Sequence, residues 1–333
     1  MSCKNQGFCY AHTPILTAND CEGAGEAFRI ATVLLSHPSS SPSIEPQDQE
    51  FFSRPSYLTV SSQLHLEALS SAISRVYTLS PCFRAERSQT SRHLAEFWML
   101  EAEWAFTSCL EDVCSVVEGV LKEVLLRHLN GSEGGSKGTD MDLLWKDGDE
   151  LKRKALEEAA TLDKPWTRMT YSDAVTELEK HHAGQGSSSK AFQFEPKWGR
   201  ALQSEHERWL AESLVKGPVF VTDYPASLKP FYMRLNSDGT TVACFDLLIP
   251  HVGELAGGSL REERLGLLEE SLKTRGLGMG REEYGWYADL RRFGGAPHAG
   301  FGIGFERLVG WVGGIENVRE CVPIPRWAGR MLL

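Results

Sequence analysis

Charged and aromatic residues alternate between Pro81 and Phe106 in a pattern that could perform chemistry. Alternate residues of a strand point to opposite faces, so Arg84 and Glu86 leave one face of a predicted strand together. The next predicted strand has one apolar face and one face that carries two carboxylates, with the order Phe97, Met99, Glu101, Glu103. A strand of this kind has the protein core behind it and water or a ligand in front of it.

The loop between these two strands is cationic, because it holds Arg87, Arg92 and His93. A sheet surface that carries arginine, glutamate and a flanking aromatic residue, and that a cationic loop covers, is suited to bind a nucleoside triphosphate. An exposed hairpin whose charges only solvate it is the alternative, and spacing alone leaves both interpretations open.

Two acidic residues, Asp246 and Glu254, lie on successive predicted strands around Pro250 and His251. Both carboxylates could therefore face one cleft, where they could hold Mg²⁺ while a nucleotide supplies the remaining oxygen ligands. The alternative is a hairpin with incidental charges.

A glycine-rich strand leads directly into a predicted helix at residues 299–308. Gly302 and Gly304 permit close approach of a ligand to the backbone, and Arg307 lies in the first helical turn. Such a turn is common in proteins, so it indicates a ligand site only in combination with the two segments above.

The elements that must position these residues do not follow a regular βαβ order. Strands are predicted at 57–60, 76–85, 97–106, 218–223, 231–235, 241–248, 252–255 and 299–304, and helices at 64–74, after Ser108, at 265–272 and after residue 304. Hairpin-linked strands with irregularly placed helices favour an α+β fold, an antiparallel β-sheet flanked by helices. We treat residues 1–333 as one domain with insertion-like stretches at 36–49, 130–140 and 184–190. The chain has no GxxxxGK[ST] or GxGxxG fingerprint, so neither a P-loop nor a Rossmann site is indicated.

Composition narrows the class of protein further. The net charge of −10 over 333 residues argues against a nucleic-acid-binding surface that covers the whole molecule, although a local basic patch is compatible with it. No apolar run approaches the ~20 residues of a membrane span, so we expect no membrane partner. The eight cysteines form no CxxC pair, and we therefore expect reduced thiols and no structural zinc.

Three segments together resemble the motifs of class II aminoacyl-tRNA synthetases. FRAE and RHLAEF (residues 83–86 and 92–97) are similar to motif 2, GFGIGFERL (300–308) is similar to motif 3, and HTPIL (12–16) is similar to the end of motif 1. The resemblance runs from about residue 7 to residue 326. It implies an antiparallel sheet flanked by helices, ATP as a substrate, Mg²⁺ as a cofactor and a homodimer formed through motif 1.

Within this class, CEGAGEAF (21–28), RHLAEFWMLEAE (92–103) and GELAGGSLREERL (253–265) resemble the asparagine-specific subfamily more than the aspartate enzymes. The resemblance implies asparagine and the acceptor end of tRNA(Asn) as partners. In such enzymes the amino acid carboxylate itself attacks ATP, so catalysis needs positioning and electrostatics rather than a protein nucleophile.

The resemblance assigns the ATP site residue by residue. Arg84 would bridge the amino acid carboxylate and the α-phosphate, where it would stabilise developing charge. Arg92 and His93 would reach the β- and γ-phosphates. Phe97 would stack on adenine, with Arg307 on its other face or near the γ-phosphate. The Mg²⁺ ligands would be Asp246 and Glu254.

The amino acid pocket follows from the same resemblance. Glu22 and Gln63 would bind the ammonium group, and Arg261 would donate to the side-chain carbonyl of asparagine. Glu86, as an anion, would accept from the side-chain amide and repel a carboxylate. One attractive and one repulsive element can separate two nearly isosteric substrates.

The resemblance begins near the end of motif 1, so we expect this chain to lack an anticodon-binding domain and to charge tRNA poorly. The FWMLEAE form of motif 2 resembles bacterial and mitochondrial enzymes, which predicts the mitochondrial matrix, with the cytoplasm as the alternative compartment. Two other functions stay open. One is a tRNA-independent paralogue similar to asparagine synthetase, and the other is a non-catalytic remnant that acts as a binding partner.

Overall fold

The computed structural model describes residues 6–18, 27–31, 50–88, 90–129, 144–145, 148–184, 191–278 and 280–332, without the side chains of residues 281 and 282. Of the three insertion-like stretches, 36–49 and 130–140 lie outside the described residues, as does the third except for Gly184. The single-domain organisation of residues 1–333 stays a prediction.

The described strands form two sheets. Their bounds are β1 Cys9–Tyr10, β2 Leu16–Thr17, β3 Arg29–Ile30, β4 Ser56–Leu58, β5 Arg75–Phe83, β6 Glu96–Ala105, β7 Thr167–Thr170, β8 Val219–Thr222, β9 Cys244–Ile249, β10 Gly253–Leu260 and β11 His298–Gly304. The main sheet has the order β1-β5-β6-β11-β10-β9-β8-β7, and the small one has the order β2-β4-β3. In the main sheet β1–β5 and β7–β8 are parallel, and the other neighbours are antiparallel.

Helices surround this sheet. The α-helices are α1 Gln63–Ile73, α2 Leu110–Leu129, α3 Glu150–Ala159, α4 Tyr171–Gly184, α5 Ser204–Arg208, α6 Leu265–Thr274, α7 Trp286–Arg292 and α8 Phe305–Gly313. Trp209–Leu214 and Arg281–Gly285 are π-helical, and Ala226–Leu228 and Val318–Glu320 are 3₁₀ turns. No helix in the described part of the chain combines the length and apolar character that a membrane crossing needs.

The central strand β6 has the two faces that its sequence predicts. Ala102 and Trp104 are buried in the main core, where they join the apolar stripe of α2, including Val113 and Leu121. Apolar residues spaced three and four apart place that stripe on one side of the helix. Glu101 and Glu103 point to the other face of the sheet, which is therefore free of the main core and available for a site.

The prediction of an α+β fold on a mostly antiparallel sheet is confirmed, and several details differ. The predicted strand at 231–235 is wrong, because Met233 and Leu235 form only isolated bridges to Arg261 and Val242. The segment is too short for a ladder, since Asn236 already turns back toward Thr241.

The sequence patterns predict no element at β1–β3, β7, α3–α5 or α7. Thr170 and Asp173 bond to each other at the start of α4, and this T-x-x-D pattern was a usable helix-start signal.

Candidate functional site

A cavity of about 450 Å³ opens on the sheet face opposite α2. The predicted strands supply most of its lining, and the residues named from the sequence that line it are Gln63, Arg84, Glu86, Arg92, His93, Phe97, Asp246, Glu254, Arg261 and Arg307. Glu22 lies outside the described residues. Three segments that are far apart along the chain therefore meet in one cavity.

The motif-2-like strands form one end of the cavity. The Arg84 guanidinium carbon lies 5.5 Å from the centre of the Phe97 ring, and Arg84 Nη1 lies 3.8 Å from Glu86. His93 Nε2 lies 3.3 Å from the other Glu86 oxygen, while its Nδ1 lies 2.6 Å from Thr90 Oγ1. Burial lowers the pKa of His93 despite Glu86, and the nearby arginines add to that effect. His93 is therefore a neutral hydrogen-bonding group at pH 7.

Positive charge accumulates at this end. Burial lowers the pKa of Arg307, Glu254 opposes the shift, and the neighbouring Arg92 and Arg84 cations lower the pKa further. Arg307 donates to the Glu254 carbonyl oxygen at 2.7 Å, and Arg92 pairs with Glu207 at 2.9 Å. Cations that repel one another in a partly buried cavity gain energy from an anion placed among them, and a polyphosphate has the right charge.

The two candidate metal ligands flank Gly257. A Cβ at Gly257 would lie 3.5 Å from Glu254 Oε1 and 3.6 Å from Asp246 Oδ1, so both carboxylates reach the same backbone position. Lys229 Nζ bonds to both Asp246 oxygens at 2.7 and 2.6 Å. Burial raises the pKa of Asp246, Lys229 opposes this, and the like charge of Glu254 raises the pKa further. Paired hard oxygen donors of this kind fit Mg²⁺, and Lys229 balances the charge of Asp246.

The other end of the cavity holds a buried ion pair. Arg261 donates to both oxygens of Glu103 at 3.0 and 2.9 Å and to Ser259 Oγ at 2.6 Å. Although burial lowers the pKa of Arg261, the Glu103 carboxylate outweighs it and raises the pKa. Gly300 makes room for this pair, because a Cβ there would lie 1.8 Å from Glu103 Oε2.

A second acidic residue, Glu101, lines the same end and is 4% exposed. It accepts from Ser61 Oγ and from the backbone N–H of Ser62. Burial raises its pKa, and the two serine contacts oppose the shift. The sequence reading placed Glu101 and Glu103 on the ligand-facing side of β6 and assigned them no role. Their period-two spacing was the available signal.

Glu67 lies behind this end, and Glu67, Glu103 and His298 offer metal-ligand atoms within 4.8 Å of one another. Each of these carboxylates is already paired with a guanidinium, Glu67 with Arg291 and Glu103 with Arg261. The cluster is therefore a charge-balanced network rather than a vacant ligand set.

Sequence reasoning assigned Glu86 as the carboxylate that works beside Arg261. In the structure Glu86 pairs with His93 and Arg84, and the carboxylate in contact with Arg261 is Glu103. The assignment of Glu86 to side-chain selection stays a prediction, and its contacts lie at the end of the cavity that the motif-2-like strands form.

Comparison with known proteins adds independent information. The family model of class II tRNA synthetases (D, K and N) matches residues 2–328. An asparagine–tRNA ligase of Legionella pneumophila is 49% identical over 325 residues, which are 97% of this chain and 66% of that protein. The corresponding ligase of Rhodopirellula baltica is 47% identical over 98% of this chain and 63% of its own length. The chain thus spans slightly less than two thirds of these relatives.

A solved structure is similar over nearly the whole chain. It is the asparaginyl-tRNA synthetase of Pyrococcus horikoshii complexed with asparaginyl-adenylate, with a TM-score of 0.81 and 31% identity. The match covers 98% of this chain and 65% of the solved one.

Proposed function

This chain belongs to the class II tRNA synthetases of the D, K and N group, and we propose that it activates asparagine with ATP and transfers it to tRNA(Asn). The observation that carries this proposal is one cavity with two unlike ends. Arg84, Arg92 and Arg307 bring three guanidinium groups to one end, and at the other end Glu103 balances the charge of Arg261. A polyphosphate suits the first end and a neutral side-chain amide suits the second.

In the first step an oxygen of the asparagine carboxylate attacks the α-phosphorus of ATP. The bond from that phosphorus to the bridging oxygen breaks, pyrophosphate leaves with the electron pair, and asparaginyl-adenylate forms. Arg84 lies over Phe97, so a guanidinium stands beside the proposed adenine platform, where it can stabilise the charge that grows on the α-phosphate. Donors fixed in place before the reaction lower the barrier most effectively.

Asp246 and Glu254 would hold Mg²⁺, which when bound neutralises phosphate charge. Lys229 bonds to Asp246, so the same carboxylate can exchange an ammonium partner for the metal. Arg307, tied to the Glu254 backbone, keeps its guanidinium at the phosphate end of the cavity.

In the second step a terminal ribose hydroxyl of the tRNA attacks the carbonyl carbon of the adenylate, and AMP leaves. The amino acid end must then exclude water and hold the substrate side chain. Arg261 and Glu101 are each no more than 4% exposed, so their bonds to a substrate would form in a dry environment. Mispaired polar groups in such a pocket are costly, which separates close analogues by a factor of ~10⁴.

Assembly and compartment complete the proposal. The motif-1-like segment at residues 12–16 supports a homodimer, which sedimentation of the protein would test. The FWMLEAE segment supports the mitochondrial matrix, and an upstream coding sequence without an amphipathic, arginine-rich leader would contradict that compartment.

ATP–pyrophosphate exchange with asparagine and with aspartate in parallel tests the activity. We expect exchange that depends on asparagine. Exchange with aspartate only would overturn the specificity. Absence of exchange with either amino acid would favour the non-catalytic remnant, and ammonia-dependent synthesis of free asparagine would favour the synthetase-like paralogue.

A further inference from the structure

Glu67 is the most completely enclosed carboxylate beside the amino acid end, with a side chain that is 0% exposed. It lies one helical turn after Gln63 on α1, so the two side chains share one face of the helix. Two other elements, α7 and β11, send donors to it. Tyr287 Oη donates at 2.8 and 2.7 Å, Arg291 Nη2 donates at 2.8 Å, and His298 Nε2 lies 2.9 Å away.

This environment keeps Glu67 ionised. Burial alone would raise its pKa, but Arg291, His298 and Arg261 lower the pKa well below its usual value. An ionised carboxylate can only accept hydrogen bonds. Every polar group in contact with Glu67 must therefore turn a donor toward it.

That requirement fixes the orientation of Gln63. Its Nε2 donates to Glu67 Oε1 at 3.0 Å, so its carbonyl oxygen is directed away from Glu67. Gln63 lines the cavity while Glu67 does not. The Gln63 side chain thus offers the cavity an acceptor, which is what an ammonium group needs, instead of a donor that would repel it.

Glu67 also lies close to a second residue that lines this end of the cavity, Arg261. Glu67 Oε1 lies 3.9 Å from Arg261 Nε. The same guanidinium also pairs with the Glu103 carboxylate. A guanidinium placed between two carboxylates has little freedom to rotate. One carboxylate therefore contacts both the residue predicted to bind the substrate ammonium group and the residue predicted to bind the substrate side chain.

We propose that Glu67 is a positioning residue for the amino acid substrate, which sets the amide orientation of Gln63 and, together with Glu103, the position of Arg261. This inference rests on the proposed activation of asparagine. Glu67 does not line the cavity, so we expect its removal to affect recognition of the amino acid and to leave the ATP end unchanged.

The test is ATP–pyrophosphate exchange by the Glu67→Gln variant of the full chain. We expect the KM for asparagine to rise about tenfold or more, with the KM for ATP within about twofold of wild type. The matched control is Glu118→Gln. Glu118 is another buried carboxylate that pairs with Lys122 and Arg168, and it lies outside the cavity lining. This control should lose comparable thermal stability and keep both KM values.

A double-mutant cycle with Gln63→Leu separates positioning from a general structural role. If Glu67 acts through Gln63, the change Glu67→Gln should raise the asparagine KM much less in the Gln63→Leu background than in wild type. Additive effects, an unchanged asparagine KM in Glu67→Gln, or equal shifts of both KM values would overturn the proposal.

Tyr287→Phe is a second test variant, which is used if Glu67→Gln does not fold. It removes one hydrogen-bond donor to Glu67 and keeps the Arg291 ion pair. We expect a smaller rise of the asparagine KM with an unchanged ATP KM, and an unchanged asparagine KM would contradict the inference.

Wild-type protein in the same assays distinguishes the two proposals. If wild type exchanges with asparagine and the Glu67→Gln variant has the same KM for asparagine, only the proposed role of Glu67 is overturned. Wild type could instead exchange only with another amino acid, and the KM for that amino acid could rise in Glu67→Gln. This result would overturn the asparagine specificity and support the role of Glu67. Wild type that neither exchanges nor binds any amino acid by calorimetry overturns both.

Discussion

Arg261 donates from Nε and Nη2 to the two carboxylate oxygens of Glu103, at 3.0 and 2.9 Å, and both side chains are buried. The bidentate pair balances the charge of the guanidinium. Three of the five Arg261 N–H groups are used, two by Glu103 and one by Ser259. Two remain for a substrate, and because the charge is already balanced they suit a neutral carbonyl better than a carboxylate.

Glu103→Gln should therefore weaken the preference for asparagine over aspartate. The substitution leaves the Arg261 cation buried with less compensation, so aspartate gains a charge partner that wild type denies it. Breaking a buried pair also costs ~3–5 kcal/mol of folding free energy. Exchange kinetics with both amino acids and urea unfolding measure the two effects, and an unchanged ratio of the two kcat/KM values would contradict the charge-balance argument.

Replacing both partners separates stability from function. A variant with Arg261→Met and Glu103→Leu together should recover most of the stability that Arg261→Met alone loses, since apolar residues of similar volume tolerate burial. Its exchange activity should stay lost, because no donor remains for the substrate side chain. Recovery of asparagine-dependent exchange in the double variant would show that Arg261 serves only folding.

The Glu101 carboxyl should give asparagine recognition a pH dependence. Burial raises its pKa above the usual 4.5, against the opposing contacts from Ser61 and Ser62. A carboxyl whose folded pKa is raised binds its proton as the pH falls toward that pKa, and the anion that could accept from the substrate is then lost. We expect kcat/KM for asparagine to fall on acidification while the KM for ATP changes less. Measuring the pH profile for each of the two substrates tests this. Identical profiles would show that a group other than Glu101 is responsible for the pH dependence.

Much of the nucleotide end could be predicted from the sequence, because period-two spacing and short strands fix which side chains share a face. Arg84, Glu86 and Phe97 lie in or beside strands whose alternation is clear, and all three line the cavity. The fold class followed from the same alternation.

The amino acid end could not be predicted in the same way. The partners of Glu67 come from α7 and β11, more than 200 residues away along the chain. Neither local periodicity nor helix propensity carries information about such contacts. Burial and neighbouring charges also shift the pKa of each group once tertiary packing brings the groups together. The same limit applies to the contacts of Glu86 with His93 and Arg84, which the sequence patterns do not predict.

Glu254→Gln should raise the Mg²⁺ concentration that gives half-maximal exchange by about tenfold or more. The carboxylates of Glu254 and Asp246 both lie near Gly257. Neutralising Glu254 therefore halves the negative charge available to a divalent ion. Glu212→Gln is a suitable control, since Glu212 accepts from the His251 backbone at the turn between the same two strands and does not line the cavity. An unchanged Mg²⁺ requirement in Glu254→Gln would remove this residue from the metal site.

Glu86→Gln decides which end of the cavity Glu86 serves. Its oxygens lie 3.3 Å from His93 Nε2 and 3.8 Å from Arg84 Nη1, both on the motif-2-like segment. Neutralising Glu86 frees these two groups to move, so we expect the ATP KM to rise about tenfold with the preference for asparagine over aspartate within about twofold of wild type. Glu96→Gln is the matched control, because the Glu96 pair with Arg326 at 3.2 Å is similarly exposed and lies outside the cavity lining. The opposite result, a lost preference with an unchanged ATP KM, would make Glu86 the repulsive element that the sequence resemblance assigns to it. Glu103 would then act only by holding Arg261 in place.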